Sequence, residues 1–110
     1  MTRPTELLHG TLDALILKTV SWQPMHGYAI AQWIEANSDD ALRIEQGSLY
    51  PALYRLERKG LIEAEWALSE TKRQVKVYRL TRAGRTQLAV ETAQWTRFSR
   101  GVGRILLQQS

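Results

Sequence analysis

The sequence predicts a mainly α fold with one small β-hairpin, closed by a long C-terminal helix. Three observations carry this. Apolar residues recur at helical spacing through residues 5–22, 27–37 and 48–59. The period then drops to two over residues 61–67 and 75–80, on either side of a polar stretch. Last, apolar residues at heptad spacing run from Leu88 to Ile105. The composition agrees: 110 residues suit one domain, and 44% hydrophobic with 24% charged residues is globular and excludes a disordered chain. With no Cys, disulfides, thiolate metal sites and a Cys nucleophile are excluded, and the chain reads as cytoplasmic. Residues 7–20 are broken by His9, Asp13 and Lys18, too polar for a membrane span or a signal segment.

The elements follow in order. Leu8, Leu12, Leu15, Ile16 and Thr19 share one face of a first helix over 5–22, weakened by Gly10 and ended by Pro24. Ile30, Trp33 and Ile34 mark a second helix over 27–37, which Asn37 and Ser38 terminate. Leu42-Arg43-Ile44 alternates and reads as a very short strand. In the third helix, 48–59, Ser48 is the expected N-cap and Pro51 the third residue, where its missing N–H costs nothing. Leu49, Leu53 and Leu56 form its core face, and Gly60 stops it. Ile62, Ala64 and Trp66 share a face of the first hairpin strand, and Val75 to Leu80 form the second. Lys72 and Arg73 lie near the hairpin tip. Thr81 caps the last helix, 82–107, whose Leu88, Trp95, Phe98, Val102 and Ile105 make an apolar seam. That helix reaches roughly 40 Å, too long for one small core to cover, which points to a second chain.

Charge is distributed unevenly. Residues 1–54 hold three basic against six acidic side chains, and residues 55–110 hold twelve against five. A basic half points to a polyanionic partner, although charge alone leaves a solvated basic surface open.

Together the order of elements is that of a winged helix-turn-helix (1–80) followed by a dimerisation helix (81–110). A major-groove helix needs Leu on one face and polar or basic residues on the other, and a wing needs cations for flanking phosphates. The third helix and its N-terminal approach offer Gln46, Ser48, Tyr50, Pro51, Tyr54, Arg55, Arg58 and Lys59, and the wing offers Lys72 and Arg73 with Lys76 behind them. Ser48 serves equally as a plain cap, and Tyr50 could instead pack beneath the helix.

Three stretches stand out: Leu8-His9-Gly10-Thr11-Leu12-Asp13, His26-Gly27-Tyr28 and Glu45-Gln46-Gly47-Ser48-Leu49-Tyr50-Pro51-Ala52-Leu53-Tyr54-Arg55-Leu56-Glu57. Gly60-Leu61-Ile62, Glu65-Trp66 and Tyr78-Arg79-Leu80-Thr81-Arg82-Ala83-Gly84 follow them. In these stretches the chain resembles the PadR-like transcriptional regulators of the short type, with a single C-terminal helix. The resemblance implies a homodimeric DNA-binding regulator, usually a repressor, joined through the C-terminal helix and helix 1. It therefore puts Leu8, Leu12, Leu88, Trp95, Phe98, Val102 and Ile105 at the dimer interface, and double-stranded DNA with a palindromic operator as partner. It also implies an aromatic effector at that interface in some members, with Trp95 and Phe98 as candidates against the simpler reading as seam residues. The family's wing often contains Gly and Pro, whereas this one reads Ser69-Glu70-Thr71-Lys72-Arg73-Gln74, and Gly101 and Gly103 interrupt the last helix.

Other chemistry finds no support. His9 and His26 lack Cys or carboxylate partners at metal-ligand spacing, and no nucleophile and base are paired, so neither a metal, a cofactor nor catalysis is expected. Trp22, Trp33 and Trp66 read as core or subunit contacts. The remaining alternative is a winged-helix module that binds protein and not DNA.

Overall fold

The computed structural model describes the backbone of residues 4–109 and the side chains of residues 11–109. Leu8 and His9 therefore have side chains outside the described residues. The elements are α1 (Pro4–Trp22), β1 (Met25–His26), α2 (Gly27–Asn37), α3 (Gln46–Arg58), β2 (Ile62–Leu68), β3 (Gln74–Leu80) and α4 (Arg82–Leu106). The sheet is antiparallel in the order β1-β3-β2.

One core joins α1, α2, α3 and the sheet. Leu12, Ile16 and Leu17 of α1, Ile30 of α2, Leu49, Leu53 and Leu56 of α3, and Ile62 of β2 are all fully buried or nearly so. Leu12 is 0% exposed and faces this core. The expected place for it at a dimer interface is thus corrected. Its face is used up within its own subunit.

The third strand is not where alternation suggested. Leu42-Arg43-Ile44 lies in irregular backbone, and β1 pairs with β3 through Met25↔Tyr78 and His26↔Val77. Ile44 is buried, and its N–H donates to Glu35 Oε2 at 3.1 Å. A side-chain acceptor on α2 replaces the ladder that a strand would require. His26 then turns the chain into α2, since its Nδ1 accepts from Ala29 N–H at 3.2 Å.

Helix α3 starts earlier than its side chains implied. Glu45, in extended backbone, holds the N-cap position without a side-chain bond, and its carbonyl accepts from Ser48 and Leu49 N–H at 3.0 and 2.9 Å. Ser48 is therefore inside the first turn, with its own N–H satisfied, and is not the cap. Pro51 sits deeper than expected and leaves the Gly47 carbonyl without its usual i→i−4 donor. Gly60, at φ +74°, closes the helix in the left-handed region as expected.

The hairpin register runs from Ile62↔Leu80 to Leu68↔Gln74. Ile62, Ala64 and Trp66 do share a face, but the strands outrun the core, so Trp66 is exposed. Trp22 is exposed as well, and of the three tryptophans only Trp33 packs against the core, at its edge.

Thr81 caps α4 as its position suggested. Its hydroxyl accepts from Gly84 N–H at 3.0 Å and donates to the Gly60 carbonyl at 2.7 Å. Helix α4 packs through Leu88 on the core and continues unbroken through Gly101 and Gly103. The molecule is elongated, 58 × 27 × 22 Å, because a helix of 25 residues is longer than the body it leaves.

Candidate nucleic-acid interface

The amphipathic division of α3 builds the candidate site. With Leu49, Ala52, Leu53 and Leu56 turned inward, Gln46, Pro51, Tyr54, Arg55, Arg58 and Lys59 are exposed at its surface. Tyr54 is 61% exposed, and the Arg58 guanidinium lies 5.7 Å from its ring centre. Such a contact steadies both side chains by about 0.5–1 kcal/mol at an exposed site. Ser48 is half-buried. Tyr50 is intermediate in role: it reaches solvent, yet its ring packs on α2, where a Cβ at Gly27 would stand 2.9 Å from Cε1. Gly27 at the start of the second helix thus leaves room for the tyrosine of the third to lie across it.

Two ion pairs tie α3 to its neighbours, and spacing along the chain showed neither. Arg55 Nη2 lies 2.8 Å from Asp13 Oδ1 of α1, and Lys76 Nζ of β3 lies 3.2 Å from Glu57 Oε1. Lys76 therefore braces the wing against α3 and does not extend the cations of the wing tip. Pairs this exposed are worth at most about 1 kcal/mol each, so they orient side chains more than they stabilise the fold. Lys76 also stands 5.9 Å from the ring of Tyr78. Burial pushes the Tyr78 hydroxyl above its ordinary value, Lys76 partly offsets this, and Glu57 and Tyr50 add to it. Tyr78 consequently stays neutral under physiological conditions.

The wing loop, Ser69 to Arg73, solves its turn without Gly or Pro. Ser69 N–H donates to the Arg73 carbonyl at 2.9 Å, Lys72 N–H to the Ser69 carbonyl at 2.9 Å, and Arg73 N–H to Ser69 Oγ at 3.2 Å. Lys72 takes the left-handed region at φ +63°. Glycine is the usual occupant there, and a lysine pays conformational strain for placing a cation at the tip. Lys59, Lys72 and Arg73 are exposed and have no acidic partner among the described residues.

The seam residues of α4 lie apart from this surface. Beyond Leu88, Trp95 and Phe98 stand with ring centres 6.0 Å apart, and Trp95, Phe98, Val102 and Ile105 are all exposed in the single chain. Among the described residues no group of three or more His, Cys, Asp or Glu could hold a metal, and no helix is long and apolar enough to cross a membrane.

A helix of this polarity, carried by a helix-turn-helix and flanked by a cationic hairpin, defines a winged helix-turn-helix protein of the DNA-binding class. The family follows from comparison: the model of the PadR-like transcriptional regulators matches residues 16–90, and the chain belongs to that family. Solved structures agree. A transcriptional regulator from Clostridium thermocellum superposes with a TM-score of 0.82 at 26% identity, over 90% of this chain and 96% of that one. A PadR-like regulator from Bacillus cereus gives 0.80 at 27%, over 94% and 99%. One from Eggerthella lenta gives 0.76 at 36%, over 96% and 89%. The protein is thus a non-enzymatic DNA-binding regulator.

Proposed function

We propose that the protein is a homodimeric, sequence-specific repressor, with residues 1–80 binding DNA and residues 81–110 joining two copies. The carrying observation is the outward face of α3, where Tyr54, Arg58 and Lys59 are exposed, together with the exposed wing cations Lys72 and Arg73, which have no acidic partner among the described residues. In this reading Tyr54, Arg55 and Arg58 reach base edges or phosphates in the major groove. Gln46 and Ser48 approach a phosphate at the helix start, Tyr50 and Pro51 border the groove, and the wing grips the flanking backbone. The exposed α4 seam pairs with its symmetry mate, which sets two α3 helices about 34 Å apart on a palindromic operator. A protein-binding module would instead expose apolar residues on α3.

The test is the salt dependence of binding to a duplex selected by the protein from a random pool. If the dimer neutralises about six to eight phosphates, log K falls with log salt at a slope of about −5 to −7. Replacing Lys72 and Arg73 together by Ala weakens binding on all sequences alike and makes that slope shallower by about 3 to 4 for two wings. An unchanged slope contradicts the wing assignment, and no preference for any duplex favours the protein-binding alternative.

Trp95 and Phe98 support an effector role in the same dimer, because two neighbouring rings on each copy, tilted 38° to one another, would meet across the seam as an aromatic slot. Planar aromatic compounds then quench Trp fluorescence and release the operator, and Trp95→Ala abolishes both effects. Quenching that persists in Trp95→Ala would place the ligand elsewhere.

A further inference from the structure

We propose that Asp13 of α1 is a positioning residue for DNA recognition, holding the Arg55 guanidinium in a fixed pose with most of its donors left for DNA. The inference rests on the DNA-binding reading above and assigns within it a role to a helix that does not enter the groove.

Both partners ride on rigid supports. Asp13 follows the fully buried Leu12 and precedes Ile16 and Leu17 on the packed face of α1, while Arg55 stands between Leu53 and Leu56 on α3. The bond joins one nitrogen, Nη2, to one oxygen, Oδ1, at 2.8 Å. A guanidinium has five N–H donors in a planar fork, so a single contact tethers the group near α1 and leaves an edge for two parallel bonds to a guanine or a phosphate. The side chain of Arg55 is 46% exposed while that of Asp13 is 21% exposed, so the pair lies at the surface with the arginine the more open of the two. An unanchored arginine samples many rotamers, and that freedom is lost on binding. Arg58 and Lys59 have no such acidic anchor among the described residues, so the device is specific to Arg55.

Two simpler roles predict other signs. As a mere negative charge near a polyanion, Asp13 would weaken binding to every duplex, and its removal would strengthen all of them. As a purely structural tie, its loss would weaken all binding in parallel with stability.

The experiment is a fluorescence-anisotropy titration of the full chain and of Asp13→Asn. The probes are the duplex selected by the wild-type protein and a scrambled duplex of equal length. Positioning predicts about a 3- to 10-fold loss on the selected duplex, with the scrambled duplex bound equally or more tightly. In an Arg55→Lys background, Asp13→Asn has little further effect on that preference, since lysine cannot present the fork. Thermal unfolding shifts by no more than a few degrees. Equal strengthening on both duplexes, or equal weakening with a large loss of thermal stability, overturns the role of Asp13 and leaves the DNA reading intact. A wild-type chain that prefers no duplex overturns both.

Discussion

Gly84→Ala costs about 3 kcal/mol or more and lowers the unfolding midpoint by roughly 10 °C or more, as read by calorimetry or circular dichroism. A Cβ at this position would stand 2.0 Å from the Leu61 carbonyl oxygen and 2.6 Å from Leu80 Cδ1. The first of these is backbone, and it is already held by Thr81 N–H at 3.2 Å, so it cannot swing aside as a side-chain tip would. Relief requires α4 to tilt away from the start of β2, which breaks the Thr81 cap and drags the seam out of line. Gly47→Ala is the control. Nothing lies within 4 Å of a Cβ there, and stability changes by less than about 0.5 kcal/mol. A midpoint for Gly84→Ala within two or three degrees of the parent, a range roughly matching ordinary surface changes, would show that the packing here is looser than described.

With the α4 seam joining two copies as proposed, Phe98→Asp yields a monomer at about micromolar concentration in analytical ultracentrifugation, and operator affinity falls by roughly 100-fold or more. The reason is geometric. Helix α4 leaves the body after Leu88, and Phe98 is 61% exposed in the single chain, next to Trp95 and one turn before Val102. A carboxylate there is harmless to the folded monomer but would be desolvated between two helices. With one reading helix lost, the half-sites no longer act as one ligand. Arg100→Gln, exposed on α4 away from the seam, leaves the dimer intact. If Phe98→Asp sediments like the parent, the seam is not the interface.

Much of this molecule is legible in its sequence, and the exceptions share a cause. The helices, the hairpin and the Thr81 cap follow from periodicity and capping chemistry, which are local. What escaped was non-local. Ser48 looks like a cap, but the backbone of Glu45 had already begun the turn. Leu42 to Ile44 alternates like a strand, but Glu35 supplies the acceptor and Met25–His26 takes the sheet edge. Leu12 carries the same periodic signal whether it faces its own core or a partner, and only the packing of α1 decides. The outward face of α3 was legible because it is the polar face of a helix with a Leu face. The Asp13–Arg55 and Glu57–Lys76 pairs were not, because 42 and 19 residues separate their members and no spacing rule links them.

The most direct test compares two duplexes by anisotropy at fixed salt: one carrying both half-sites at the spacing selected by the protein, the other with one half-site scrambled. Two α3 helices held by paired α4 seams predict that the scrambled half-site costs the complex at least about 100-fold. Equal affinity for both duplexes would mean that one chain reads DNA alone, and would contradict the dimer on which this account of operator recognition is built.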